Sequence, residues 1–213
     1  MFEKYKHIIW DWNGTLFDDV NFSVELINGL LAKYGLETIS REHYSEIFQF
    51  PVKNYYAAAG FDFEKVSFEK VGKEWIAGYE KRKLEYGIYP GSAELLERIS
   101  RLGIGQSILS AYSQHTLEEI VEHCGLTKYF AHLYGLNTIY APSKVDLGKK
   151  LMNELGHKKG ETLLIGDTEH DYDVATEIGA DCILIANGHQ SKSKLTKIGV
   201  PVYDELNKIL QEF

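Results

Sequence analysis

Residues 7–19 read HIIWDWNGTLFDD. An unbroken apolar run stops at a carboxylate, Asp11, and a glycine turn at Gly14 follows at once. A run without polar alternation belongs to a strand covered on both faces, as in parallel sheets held between two layers of helices. The strand is expected over residues 6–11. Its end then sets one acid at the mouth of the sheet, where the turn lets the backbone fold around an anion. That acid is a candidate nucleophile. Two positions on stands Asn13, an amide where a second acid would be the usual partner.

The rest of the chain decides what surrounds this strand. From about residue 20 to residue 86, apolar residues recur at helical spacing: in VNFSVELINGLLAKYG, in 41–50, in 53–59 and in the charged run 64–86. No strand candidate interrupts them, so this block reads as a small helical bundle. Pro90 and Gly91 punctuate its end. Beyond them the pattern alternates. Helices are expected over 92–101, 113–123, 144–155, 171–178 and 203–210, and strands over 104–110, 133–136, 162–167 and 182–186. The alternation implies right-handed crossovers and an α/β fold with a parallel sheet. The bundle is thus an insertion after the first strand, dividing the chain into a core (1–18 and 88–213) and an insert (19–87). The SKSK stretch at 191–194 reads as a solvated turn.

A chain of 213 residues, 44% hydrophobic, supports one sizeable core with a smaller appended unit. Against 31 acidic residues stand 23 Lys and Arg, a formal charge of −8 without any basic stretch. That argues against nucleic acid as a partner. It also requires a local cation, protein or metal, to attract an anionic substrate. No apolar run is long enough to cross a bilayer, and no basic-then-apolar leader follows Met1, so no membrane association is expected. Cys124 and Cys182 are isolated, which fits buried thiols in a reduced, cytoplasmic protein. With no heptads and no evident interface, the chain reads as a monomer or a homodimer.

In an open parallel sheet, ligands bind beyond the carboxyl ends of the strands. Polar chemistry collects at several of these ends: Asp11, Ser110 in SILSAYS, Asp167 in LLIGD, and Asp171 in GDTEHD. Lys144 joins them from the helix that opens after Pro142 in the APSK turn. Aspartate can accept a phosphoryl group and form an acyl phosphate that water later cleaves. Such transfer needs charge neutralisation most of all. Asp11 and Asp167 could share Mg²⁺, a hard cation that takes carboxylates, a carbonyl and waters. Lys144 would screen Asp11 from an incoming phosphate. The Ser110 hydroxyl and nearby backbone N–H groups, that of Ala111 included, could hold phosphate oxygens. Singly, each residue has a plainer role: Asp11 a turn former, Ser110 a cap, Lys144 a solvated cation, GDTEHD a helix N-terminus. Their order within one topology favours a shared site.

DWNGTLFD, Ser110, Lys144 and GDTEHD, in that order, resemble the four motifs of the haloacid dehalogenase superfamily, in its phosphoglycolate phosphatase-like branch. The resemblance spans nearly the whole chain, and the helical insert sits where that family carries its cap. It implies a Rossmann-like core, Mg²⁺ dependence, and Asp11 as the phosphorylated nucleophile. It implies Asp167 and the backbone carbonyl of Asn13 as metal ligands beside Asp11, with Asp171 a ligand or a partner behind the ligands. The implied substrate is a small phosphate ester, phosphoglycolate-like or a sugar phosphate.

Asn13 departs from the pattern. In typical phosphatases of the family this position is an aspartate that protonates the leaving oxygen and then activates water. An amide cannot exchange a proton in this way. Such help is worth roughly 10²–10⁴-fold, so the alternative expectation is a slow or inactive protein that binds phosphate in a regulatory role. Asp18, Asp19, Glu169 and His170 are close enough in sequence to substitute. The dehalogenase reaction itself fits less well, because those enzymes need no Mg²⁺ and lack the GDxxxD pattern. A phosphonate-cleaving relative would need a Schiff-base lysine from the cap, for which Lys33 and Lys53 are available. The segment FPVKNYY, 50–56, could set Lys53 or Asn54 over the site, with Phe50, Tyr55 and Tyr56 packed inside the insert.

Overall fold

The computed structural model describes residues 4–136 and 143–211; Pro142 and its turn lie outside them. Six strands form one sheet in the order β3-β2-β1-β4-β5-β6. They are β1 (His7–Trp10), β2 (Gly105–Ser113), β3 (His132–Leu136), β4 (Thr162–Gly166), β5 (Asp181–Ile185) and β6 (Val202–Tyr203). Every neighbouring pair is parallel. The apolar runs are explained by the two faces they serve. Ile8, Trp10, Leu163 and Ile165 pack on one side with α5 (Ser92–Arg101), α6 (Gln114–His123) and α10 (Leu206–Leu210). Ile9, Leu109, Leu164 and Leu184 pack on the other with α7 (Lys144–Leu155) and α8 (Glu169–Ile178). Each large side chain removed from water in this way contributes about 1.5–3 kcal/mol.

Between β1 and α5 lie α1 (Val20–Lys33), α2 (Arg41–Ile47), α3 (Val52–Ala58) and α4 (Phe68–Arg82). No strand interrupts these helices, as expected. They bury their own cluster, including Ile27, Leu31, Tyr44, Tyr55, Tyr56 and Val71. Ser40 and Ser67 cap α2 and α4 by accepting from the N–H groups of His43 and Lys70. The chain leaves and re-enters the core through adjacent backbone. Asp18 N–H donates to Gly87 O at 2.9 Å, Tyr89 N–H donates to Leu16 O at 2.9 Å, and Phe17 bridges antiparallel to Ile88.

The structure differs from the sequence reading mainly near the carboxyl terminus. Val202 and Tyr203 extend the sheet as β6 beside β5, and the last helix is therefore shorter than 203–210. The SKSK stretch is not merely a turn: α9 (Lys192–Leu195) turns Leu195 into the core. One apolar side chain on a single helical turn is too weak a periodic signal to read. β2 runs on to Ser113 because its ladder with β3 is irregular. Leu109 pairs with Tyr134 and Ser113 with Leu136, so Ser110 and Ala111 lie in a bulge. Bulges re-aim side chains at the rims of sheets.

Candidate functional site

The β1 and β4 ends lie side by side at the point where strand order reverses. Asp11 N–H still bonds to Ile165 O at 2.8 Å, so the ladder holds Asp11 in place as the strand ends. Asp167 follows β4, and Asp171 sits in the first turn of α8. Lys144 opens α7, whose N-terminus is capped by Ser143 and Asp146, and its side chain enters the same crevice. Nζ of Lys144 lies 2.5 Å from Asp11 Oδ1 and 2.5 Å from Asp171 Oδ1. All four side chains are buried.

The electrostatics follow from this crowding. Burial drives the Asp11 carboxyl above its ordinary range, against the pull of Lys144, with Asp171 and Asp167 adding to the rise. Burial also acts to raise Asp171, but the charge and hydrogen bond of Lys144 and the Thr168 hydroxyl outweigh it and hold Asp171 low. Burial works against the charge of Lys144, and the two carboxylates more than reverse it, so the ammonium stays charged. Asp167 is pushed up to about 6, chiefly by burial. One ammonium thus serves two carboxylates, and among the described residues Asp167 has no ion-pair partner. Buried charge left uncompensated is costly. Asp11, Asp167 and Asp171 each present an oxygen, all three within 4.8 Å of one another. That hard-oxygen donor set, with its surplus of negative charge, fits a divalent cation.

Asp167 is held by backbone and hydroxyl donors. His189 N–H bonds to Oδ2 at 2.6 Å and Thr15 Oγ1 to Oδ1 at 3.0 Å. Two glycines make room for it. Gly14 has φ +75°, and a Cβ there would meet Asp167 and His189; a Cβ at Gly188 would fall on Asp167 itself. Asp171 Oδ2 accepts from Thr168 N–H at 3.0 Å and from its hydroxyl at 2.7 Å. On the β2 side, Ser110 is buried and its Oγ accepts from Tyr112 N–H at 3.0 Å. Ser110 and Ala111 line the crevice with Asp11, Asn13, Lys144, Asp167 and Asp171.

A second buried network adjoins the first. Asn13 Nδ2 donates to Asp19 Oδ2 at 2.7 Å and to the Tyr79 hydroxyl at 2.7 Å, and that hydroxyl donates to Asp19 Oδ2 at 2.9 Å. Gly14 N–H donates to Asp19 Oδ1 at 3.0 Å. His189 Nε2 lies 3.5 Å from Asp19 Oδ1, and its Nδ1 is 2.7 Å from the Tyr44 hydroxyl. Burial opposes charge on His189, but the hydrogen bond and charge of Asp19, with Asp167 and Asp11 beyond, raise it to about 9.

Of the four residues proposed to replace an acid at position 13, the structure brings Asp19 against Asn13 and sets His170 on the cavity wall. Asp18 is half-buried off the cavity, and Glu169 is exposed. The sequence does not single out His189 or Tyr79, and it marks Thr15 only as part of the turn with Gly14. Only the position of His189 shortly after β5, at another carboxyl strand end, could have signalled it. Lys53 and Asn54 do not reach over the site. The phase of α3 turns Val52, Tyr55 and Tyr56 to the cavity and leaves both exposed, with Lys53 Nζ 5.6 Å from the Phe63 ring centroid. Lys33 is exposed and paired with Glu74 at 3.0 Å. Neither lysine is placed for a Schiff base.

Comparison with known proteins agrees with this architecture. A family model described as haloacid dehalogenase-like hydrolase matches residues 8–185. Phosphoglycolate phosphatase of Rhodobacter capsulatus is 24% identical over 192 residues, covering 86% of this chain and 85% of that protein. Tyrosine-protein kinase PtkA of Mycobacterium tuberculosis is 23% identical over 216 residues, covering 98% and 73%. Among solved structures, a haloacid dehalogenase-like family hydrolase from Streptococcus pneumoniae superposes with a TM-score of 0.84 at 18% identity, covering 99% of each chain. That likeness extends to the fold. No described helix is long and apolar enough to cross a membrane.

Proposed function

The chain belongs to the haloacid dehalogenase-like hydrolase family, and from that we propose that it hydrolyses small phosphate monoesters through Asp11 with Mg²⁺ bound. The Lys144 bridge between Asp11 and Asp171, with Asp167 beside it, carries this reading. Phosphoryl transfer rewards positioning and charge neutralisation, and this crevice is built of both.

The roles follow from placement. Asp11 takes the phosphoryl group from the ester oxygen, and water then returns it as inorganic phosphate. Lys144 orients Asp11 through Oδ1 and lowers the repulsion between two anions. Asp171 positions Lys144, and Thr168 holds Asp171. Ser110 and the Ala111 N–H are assigned to the phosphate oxygens, where the β2 bulge presents them. Asp11, Asp167 and the backbone carbonyl of Asn13 would hold Mg²⁺, with Asp171 at the edge of that set. When bound, the ion neutralises charge developing on the transferring phosphoryl group. Residues 19–87 act as a cap that excludes water and meets the organic half of the ester. Asp19 against Asn13 supports a turnover role over a purely phosphate-binding one, because a carboxylate stands beside position 13.

The test is phosphate release from a panel of phosphate esters with and without Mg²⁺. Release should require the metal and be lost in Asp11→Ala. Release that survives the substitution refutes the mechanism.

A further inference from the structure

The acidic crevice opens into a cavity of about 280 Å³ between the core and the helical insert. The two ends of that cavity differ in chemistry. At the bottom stand Asp11, Lys144 and Ser110. The upper wall comes from the insert and is built of Phe48, Phe50, Tyr55, Tyr56, Trp75 and Ile76. These rings are held by one another: Phe48 packs on Phe50 and Tyr55, and Trp75 stacks on Tyr79 at 5.1 Å. Such a wall is pre-organised, so little conformational entropy is lost when a ligand fills it.

Positive charge is already committed where a polar substrate would need it. The described residues include every lysine and arginine of the chain, and of these only Lys144 lines the cavity. Its ammonium is already shared by Asp11 and Asp171. His189 also lines the cavity, but its Nε2 already faces Asp19 at 3.5 Å, so a carboxylate on the substrate would be buried near Asp11, Asp19 and Asp167 without a cation of its own. Of the wall hydroxyls only that of Tyr55 is buried without a partner. Tyr44 is bonded to His189, and Tyr112 to Glu80 at 3.2 Å. The several ring hydroxyls of a sugar would lose water with too few partners to replace it.

The mouth adds an independent sign. Among the described residues, the large hydrophobic side chains left exposed are Phe50, Ile76, Leu84 and Leu102. Two of these, Phe50 from the turn before α3 and Ile76 from α4, line this one cavity. Apolar surface kept in water around a concave site marks what the site covers when filled.

We propose that the substrate's organic half is apolar and aromatic, an arylalkyl phosphate monoester, in place of a carboxylated or sugar phosphate. This rests on the phosphatase reading above and names the ester. Benzyl phosphate, 2-phosphoglycolate and glucose 6-phosphate all leave through an alkyl oxygen, so they differ mainly in what meets the wall. With Mg²⁺, kcat/KM for benzyl phosphate should exceed the other two by about tenfold or more, the scale of apolar pocket discrimination. Equal or better turnover of 2-phosphoglycolate or glucose 6-phosphate overturns the proposal. Calorimetric titration with benzylphosphonate and with phosphonoacetate separates the two readings. If no ester is cleaved, p-nitrophenyl phosphate included, the phosphatase reading fails. Tighter benzylphosphonate binding would still support the aromatic wall, and equal or weaker binding would overturn it. In the double variant Phe50→Ala, Ile76→Ala, which alters exposed positions, activity on benzyl phosphate should fall about tenfold more than activity on 2-phosphoglycolate. Equal losses count against the proposal.

Discussion

Asp19 Oδ2 accepts a 2.7 Å hydrogen bond from Asn13 Nδ2, so the amide at position 13 touches a carboxylate six residues on. The two side chains form a complementary pair, donor against acceptor. Replacing Asn13 with aspartate alone would set a half-buried carboxylate against the buried one of Asp19, and the repulsion favours a proton shared between them. Asn13→Asp should therefore lose roughly 1–3 kcal/mol of stability and gain less activity than the swap Asn13→Asp, Asp19→Asn. Urea midpoints and Mg²⁺-dependent kcat for the three proteins check this. A single variant that is both faster and as stable as the swap would rule it out.

Lys144 joins two buried carboxylates, so its removal leaves both unpaired. Lys144→Met should cost about 3–5 kcal/mol, the usual penalty for breaking a buried ion pair. Phosphate release should fall by roughly two orders of magnitude or more. Added Mg²⁺ should recover part of the stability, since the same carboxylates would gain a cation. Thermal melts with and without the metal measure both effects.

The metal should stabilise the native chain because the unfolded chain has no such site. At a hundredfold excess over Kd the gain is about 2.7 kcal/mol. Chelation with EDTA should return the melting temperature to its metal-free value. Asp167→Asn should abolish the Mg²⁺ shift while leaving the metal-free protein folded. An unchanged shift in that variant would show that Asp167 is not a ligand.

His7 lies buried at the far end of β1, with Nε2 2.8 Å from Ser107 Oγ. Burial first, then His157 and His132, lower it to about 4 from an ordinary 6.5. Above pH 6.5 both folded and unfolded chains hold this residue neutral. As pH falls toward 4 the unfolded chain binds the proton and the folded one resists, so stability is lost through that window. The full loss is roughly 3 kcal/mol. Urea midpoints at pH 7 and pH 5 should differ, and by less in His7→Gln.

The core of the molecule was legible because its signals are local and repeated. Unbroken apolar strands and alternating helices state a parallel sheet directly, and the strand-end carboxylates announce where chemistry collects. Asp11, Ser110, Ala111, Lys144, Asp167 and Asp171 do come together. What was not legible depends on partners far apart in sequence. Tyr79 meets Asn13 across 66 residues, and His189 meets Asp19 only because β5 returns beside β4. The direction of Lys53 was missed for a simpler reason. α3 is seven residues long, too short for its apolar phase to outvote a basic residue placed beside two tyrosines.

The Phe17–Ile88 bridge closes the chain on itself before the insert has contributed anything. Entry and exit are neighbours, so lengthening, trimming or exchanging the intervening helices leaves the sheet's connectivity and its row of strand-end acids untouched. Under the proposed function, attack on phosphorus and choice of ester are thus written in separable stretches of sequence, and selection can revise the second without rebuilding the first. Tyr44 and Tyr79 tie them: Tyr44 reaches from α2 to His189, and Tyr79 reaches further into the site. Its hydroxyl reaches from α4 to Asn13 and Asp19, so an exchanged insert must bring a like hydroxyl or leave that pair to reorganise.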